Sequence, residues 1–391
     1  MPENNRMNTP EFKFYELSLV KPSFDSPLTD MIIELEHLRK KKLEGSTHPS
    51  VFFQLKHLFH TLESIGSARI EGNNTTIAEY IETKIEENTD EHISYAIREI
   101  RNIEEATAFI ENNVNDYPIN KKFISEIHRI LVKGLPLNGE GDKSPGVYRK
   151  HNIKIAQSEH LPPDYFSVEP YMNDLFQFIN DETPSKYDLM KTAIAHHRFV
   201  WIHPFGNGNG RTVRLFTYAM LIKNGFNVNV GRIINPTAIF CNNRTEYYNK
   251  LSKADKGKEE GILEWCEYVL KGLKEEIEKV DKLMDYDYLK KEILIPAINI
   301  SLERKIISEN EFEILKKTIE LQVIQNSDLQ DLFKGKQASE VSRQIKKLKD
   351  KKMLISESEN SRKYVLRFDN NYLLRGIIQM LNEKGFLAIQ D

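Results

Sequence analysis

The run His203-Pro204-Phe205-Gly206-Asn207-Gly208-Asn209-Gly210-Arg211-Thr212-Val213-Arg214 constrains this chain more than any other stretch. Glycine at every second position across 206–210 interrupts any helix or strand. Before it lie Phe199, Val200, Trp201 and Ile202, an apolar segment that should be buried. After it, 215–225 is rich in helix formers and stops at Asn224-Gly225. The geometry expected is helix, tight loop, helix, with the loop against the core.

Each residue type in the loop has a chemical use. Glycines let a backbone approach a ligand closely. The first N–H groups of the second helix have no intrahelical partner, and the dipole there favours an anion. Arg211 and Arg214 are three apart, so they project from nearly one face. His203 has an ordinary pKa of about 6.5, suited to taking a proton from a hydroxyl. A base, an anion cradle and two guanidiniums together describe attack on a phosphate ester.

These residues resemble the signature of the Fic domain family, His-x-Phe-x-(Asp/Glu)-Gly-Asn-Gly-Arg-x-x-Arg. Most characterised members transfer AMP from ATP to a Ser, Thr or Tyr hydroxyl of a target protein. The resemblance implies that His203 is the base and that Gly206, Gly208, Asn209 and Gly210 line the anion hole. It also implies that Arg211 and Arg214 hold the β- and γ-phosphates. Where the family has the acid that holds Mg²⁺, this chain has Asn207. A neutral amide lacks the charge a hard cation prefers, so Asn207 is at best a weak metal ligand.

Lys and Arg number 55 against 58 Asp and Glu, a formal charge of −3. Nothing in that balance marks a nucleic-acid coater or a membrane-surface protein. No apolar run approaches the ~20 residues that span a bilayer, and the polar start Met1-Pro2-Glu3 lacks a signal-peptide core. The two cysteines, Cys241 and Cys266, lack metal-ligand spacing. A cytoplasmic home without membrane contact is the expectation.

Upstream, 1–45 reads as an arm with one helix near 30–42. Phe52, Leu55, Leu58, Phe59, Leu62 and Ile65 form a helical stripe over 51–66. This helix runs into Ser67-Ala68-Arg69-Ile70-Glu71-Gly72, a helix end with a glycine terminator. The same residues resemble the inhibitory motif (Ser/Thr)-x-x-x-Glu-(Gly/Asn) of many Fic proteins. The resemblance implies that Ser67, Glu71 and Gly72 form a plug. Glu71 would pair with Arg214 and repel the γ-phosphate, leaving ATP in a non-productive pose. The same Glu could orient a water that removes AMP, as in some relatives.

Apolar stripes predict further bundle helices between 75 and 113 and over 122–135. Polar and apolar residues alternate over 151–156, which predicts a short strand or hairpin. The family has a hairpin flap here that pairs with the target backbone, which makes Asn152, Ile153, Lys154 and Ile155 the implied target contacts. Helices are expected over 171–179 and 189–201, the second carrying His196 and His197, one facing the core and one the solvent. Tyr247 and Tyr248 read as one core and one surface ring. Similar tyrosines in the family line the adenine pocket, so Tyr247, Tyr248 and Asp255 are implied nucleotide contacts.

From Leu270 the chain turns Glu/Lys-rich and reads as a solvated linker helix. Beyond it, helices over 310–321, 327–333 and 338–351 precede strands at Leu354-Ile355 and Tyr364-Val365-Leu366, a winged-helix pattern. Arg343, Lys346, Lys347 and Lys349 make the third helix basic, as a DNA reader would be.

The fold class expected is mainly α: a Fic-type helical bundle with a β-hairpin flap and a small C-terminal winged-helix α+β domain. The divisions are 1–45 (arm), 46–285 (catalytic domain with inhibitory helix) and 286–391 (winged-helix-like). The function expected is a protein adenylyltransferase inhibited by its own Glu71, with ATP as substrate, Mg²⁺ implied by the family and a hydroxyl-bearing protein as target. A homodimer is a state that relatives adopt. The alternative is a nucleotide-sensing, transcription-linked protein whose C-terminal domain binds DNA or protein.

Overall fold

Helices α1 (Pro27–Lys40) and α2 (Pro49–Ile70) open the computed structural model, which describes residues 11–40, 46–85, 93–156, 158–226, 236–335 and 337–387. α2 is the long strut of the N-terminal half. The His48 imidazole accepts from the Ser50 N–H at its start, and Pro49 fits the first turn, where no N–H is needed. It passes Gly66 and ends at Ile70, with Glu71 as its cap and Gly72 at φ 106°. Helices α3 (Ile77–Ile85), α4 (Tyr95–Asn113) and α5 (Lys121–Leu131) follow. α4 packs against both α2 and α5 through Ile97, Ile100, Ile103 and Ile110.

After a long connection come α6 (Val168–Asn180), α7 (Asp188–Ile202) and α8 (Asn209–Lys223). α7 and α8 pack against each other on either side of the glycine-rich loop. Nearly every residue of α8 is buried, so it is the central rod, which the other helices enclose. The loop between them is therefore held at the core and not on a mobile surface.

The short α9 (Pro236–Cys241), α10 (Arg244–Ala254) and α11 (Glu259–Asp281) close the bundle. α11 corrects the expected solvated linker: Leu270, Leu273, Ile277 and Val280 are buried, and the helix covers α1, α7, α9 and α10. Most of its Glu/Lys residues occupy the outer face, while Glu276 is buried.

The N-terminal arm is likewise packed. The Phe12 and Tyr15 rings lie 5.3 and 5.4 Å from Trp201, and the Arg198 guanidinium sits 4.1 Å over Trp201.

Helices α12 (Tyr286–Leu289) and α13 (Ile295–Glu303) are joined through a π-turn at Lys290–Leu294 and lead to α14 (Glu309–Leu321). A capping box between Ser308 and Glu311 starts α14. A 3-10 segment (Asn326–Phe333) and α15 (Ala338–Asp350) follow, then α16 (Leu374–Glu383). The expected strand pair is present as β2 (Leu354–Ser356) and β3 (Tyr364–Leu366), with a further strand β1 (Val323–Ile324) in the antiparallel order β1-β3-β2. This small sheet leans on α2. The Gln54 amide donates to the Leu366 carbonyl (2.9 Å) and accepts from the Phe368 N–H (2.8 Å), while Glu357 lies 3.6 Å from His48.

The hairpin expected at 151–156 is absent: the segment is an irregular loop. Asn152 is committed to Asp164 (2.7 Å) and to the Tyr165 N–H (2.9 Å), which folds the loop back on its own base. Exposed and half-buried residues do alternate there, but without a ladder partner. The pairing nearby, among the described residues, is a parallel bridge between Glu11 and His160.

Candidate active site

His203 ends α7. Its N–H still bonds the Phe199 carbonyl (2.9 Å), but the next residue is proline, which disfavours a helical conformation at His203. The backbone turns left-handed instead, at φ 51° and ψ 64°. Such a conformation costs a β-carbon-bearing residue about 1–2 kcal/mol and persists only where the surroundings enforce it. The side chain is half-buried, with Nδ1 3.1 Å from the Val200 carbonyl. A carbonyl only accepts, so Nδ1 carries the proton and Nε2 keeps its lone pair. Burial pushes the imidazole down to about 4, so it is neutral at physiological pH.

The loop then crosses to α8 by a set of backbone clamps. Gly208 caps α8 at φ 71°, a conformation that glycine adopts freely, and its carbonyl takes both the N–H and the hydroxyl of Thr212. The Asn209 side chain is engaged within the loop itself. Its amide accepts from the Phe205 N–H and donates to the Phe205 carbonyl, both at 2.9 Å, which staples the loop to itself.

Asn207 is also turned inward. Its Nδ2 donates to the carbonyls of Gly139 (2.8 Å) and Gly141 (3.2 Å), while its Oδ1 accepts from the Gly208 N–H (2.7 Å). Its own N–H donates to Asp142 (2.8 Å), whose carboxylate also lies over Gly206. The donor set does not fit Mg²⁺. Both oxygens of Asn207 are engaged, Oδ1 by the Gly208 N–H and the carbonyl by His128, and no cluster of three His, Cys, Asp or Glu suited to a metal occurs among the described residues.

The two arginines diverge. Arg211, 1% exposed, turns to Glu99 (3.0 Å) and Glu140 (2.7 Å). Its contact with Glu99 is an ion pair without hydrogen-bond alignment. Burial raises the Glu99 carboxyl above the usual range despite that pairing. Arg214, also 1% exposed, donates Nε to the Ser67 hydroxyl (2.9 Å) and Nη2 to both the Ser67 carbonyl (2.9 Å) and Glu71 Oε1 (2.7 Å). Burial alone would raise Glu71, but the Arg214 and Arg211 charges and the Arg214 hydrogen bond hold it below the usual carboxylate range.

Glu71 also sits on the first turn of α8. A β-carbon at Gly210 would collide with Glu71 Oε1, so glycine there makes room for the carboxylate. An anion at a helix N-terminus gains up to about 2 kcal/mol in a partly buried setting. Glu71 thus stands where the exposed helix amides and Arg214 would attract a phosphate. Beside it opens a cleft of about 530 Å³, which Gly72, Asn73, Glu99 and Glu140 also line.

Of the implied adenine contacts, Tyr247 lies within reach of the Arg214 and Glu71 charges. Tyr247 is buried, its hydroxyl 2.9 Å from His196 Nε2. Tyr248 is exposed, with the Arg244 guanidinium over its ring. Asp255 lies 2.9 Å from His197 Nε2, and Tyr15 lies 3.0 Å from His197 Nδ1, a chain that anchors the arm. His196 and His197 are therefore both buried, contrary to the expectation of one surface ring.

Several site residues were not singled out from sequence. His128 stacks on Phe205 at 3.8 Å. It accepts from the Gly146 N–H (2.9 Å), so its Nε2 carries the proton that bonds the Asn207 carbonyl (3.0 Å). Glu140 and Asp142 come from the Gly- and Pro-rich turn before 146, whose turn chemistry was the available signal. Arg149 reaches the His203 carbonyl (2.9 Å).

Residues 118–221 match the Fic/DOC family model, a span that contains His203 to Arg214 and excludes Ser67 and Glu71. Protein adenylyltransferase Fic of Aedes aegypti is 30% identical over 214 residues, 52% of this chain and 37% of that protein. The protein of the same name from Nematostella vectensis is 29% identical over 213 residues, 53% and 44% of the two chains. The chain thus spans less than half the length of these curated relatives. A Fic family protein from Desulfovibrio desulfuricans superposes with a TM-score of 0.54 at 17% identity, over 90% of this chain and 98% of that one. Fic-1 from C. elegans does so at 0.52 and 22%, over 64% and 71%. These likenesses speak for the fold: residues 118–221 are similar to a Fic domain and lie in a mainly helical chain.

Proposed function

We propose that this Fic-domain chain transfers AMP from ATP to a hydroxyl side chain of a target protein and is held idle by Glu71. The observation that carries the reading is the Glu71 carboxylate on Arg214 and over Gly210, at the helix terminus one loop away from a neutral His203. When Glu71 leaves, Arg214 and the α8 amides are free to take the triphosphate. His203 Nε2 accepts the proton of the target hydroxyl, and the oxygen attacks the α-phosphorus. The bond from the α-phosphorus to its bridging oxygen breaks, pyrophosphate leaves with the electron pair, and the proton stays on the imidazole. Arg214 takes up the charge that develops on the leaving group, and Arg211 joins it once Glu140 swings aside.

The nucleotide-sensing, DNA-binding reading is less favoured. The basic residues of α15 and its C-cap are partly neutralised, Arg343 by Glu340 and both Lys347 and the capping Lys351 by Glu311, and Glu357 of the turn faces His48.

The test incubates ATP labelled at the α-phosphate with a cell extract and wild type, Glu71→Gly or Glu71→Gly/His203→Ala. Label on protein with Glu71→Gly alone supports the reading. No label with any of the three, or equal label with all, refutes it.

A further inference from the structure

The loop that carries His203 is held from outside by one buried cation. Arg149 is 4% exposed and donates Nε to the His203 carbonyl (2.9 Å). Its Nη2 reaches the Pro163 carbonyl (2.5 Å) and, more distantly, that of Ile202 (3.4 Å), while Nη1 takes His151 (3.1 Å). Its backbone N–H donates to the Pro204 carbonyl (2.9 Å). One residue therefore binds three consecutive carbonyls, 202 to 204, around the left-handed turn. Its guanidinium bonds only carbonyl oxygens among the hydrogen bonds of the described residues.

That arrangement is unusual for a buried charge, which is ordinarily hydrogen-bonded to an acid; here Asp164 acts on it through its charge while the carbonyls take the hydrogen bonds. It has a physical logic at this position. The last carbonyls of α7 have no intrahelical donor, and a cation at a helix C-terminus is favourable. The forked guanidinium serves several carbonyls at once, where an ammonium would serve fewer in fixed directions. Burial draws the Arg149 pKa down to about 10, so the group remains charged at neutral pH.

We propose that Arg149 is the positioning residue for the base: it fixes the left-handed turn at His203 and thereby keeps Nε2 facing the transfer site. Because the same guanidinium binds His151 and Pro163, it also ties the base to both ends of the loop 151–163. The inference rests on the adenylyl-transfer reading for its catalytic consequence but not for its structural one. The charges that His203 senses are Arg149 from this loop, Glu71 from the end of α2, and His160. Of these, Arg149 acts to lower the imidazole pKa, so its removal should raise it.

The test uses the full chain with Arg149→Lys and Arg149→Gln, each with and without Glu71→Gly. ¹⁵N-histidine NMR reads the His203 tautomer and pKa, and thermal unfolding reports whether each variant folds. Expected are a loss of the Nδ1–H tautomer as the sole form in both variants and an upward shift of the His203 pKa in Arg149→Gln, where the cation is gone. In the Glu71→Gly background, kcat should fall on the order of 10²-fold while KM for ATP stays within about threefold, since a general base contributes that much. A folded Arg149→Lys with unchanged His203 resonances and kcat overturns the proposal, and so does an equal loss in kcat and ATP affinity. If Glu71→Gly alone transfers no AMP, the adenylyl-transfer reading fails, and the NMR arm still decides the role of Arg149.

Discussion

Glu71 and Arg214, 143 positions apart in sequence, meet at 2.7 Å inside the bundle, and Ser67 completes the clasp from the preceding turn of the same helix. The clasp joins the end of α2 to the second turn of α8. In the proposed function, one guanidinium would answer to two events, docking of the N-terminal helix and arrival of a phosphate.

Substituting Ser67 should loosen the clasp without opening it. Ser67→Ala removes the acceptor for Arg214 Nε but leaves the Ser67 carbonyl and Glu71 in place. The expected loss is about 1–2 kcal/mol of stability, read from denaturant midpoints. AMP transfer should rise several-fold, well short of the release given by Glu71→Gly.

His203 sets the acid limb of the rate. With the imidazole pushed down to about 4 by burial, the base is unprotonated throughout the neutral range. The kcat/KM of Glu71→Gly should be flat between about pH 5.5 and 8 and fall only near pH 4. An acid limb centred on the ordinary imidazole value of about 6.5 would mean that burial does not govern this group.

A different acid on α2 makes a pH-dependent contribution to stability. Glu63 is buried and pushed up from 4.5 to about 7, chiefly by desolvation, although the Thr237 N–H donates to it at 3.1 Å. Its folded-state pKa lies above its unfolded one, so its contribution is full below pH 4.5 and is lost as pH rises through about 7. Glu63→Gln should therefore gain about 3 kcal/mol relative to wild type between pH 4 and pH 8, measured by urea unfolding at both.

Restoring the family's acid at 207 should be costly to the loop. Asn207→Asp replaces a donor to the Gly139 and Gly141 carbonyls with an oxygen that repels them. A loss of about 1–3 kcal/mol is expected without divalent cation. Addition of Mg²⁺ should recover part of the lost melting temperature in the variant and leave wild type unmoved.

The helices were legible where one face is consistently apolar: the stripe from Phe52 to Ile65 became α2, and Ser67, Glu71 and Arg214 stood out through the motifs they resemble. α11 was misread because its outer Glu/Lys residues mask the buried Leu270, Leu273, Ile277 and Val280. Alternation over 151–156 suggested a strand, but alternation alone specifies no pairing partner, and Asn152 bonds within its own loop. Asn209 and Asn207 bind backbone atoms of this chain, and the Arg149 guanidinium reaches the His203 carbonyl, 54 positions away. Contacts to backbone carry no complementary residue in the sequence, so no spacing reveals them.

The central claim is that Glu71 occupies the place of a terminal phosphate. A crystal structure of wild type and of Glu71→Gly, each with a non-hydrolysable ATP analogue, tests it most directly. The account predicts the γ-phosphate against Arg214 and the α8 amides in the variant, and held away from them in wild type. A γ-phosphate seated on Arg214 in wild type, with Glu71 still bonded to that guanidinium, would contradict it.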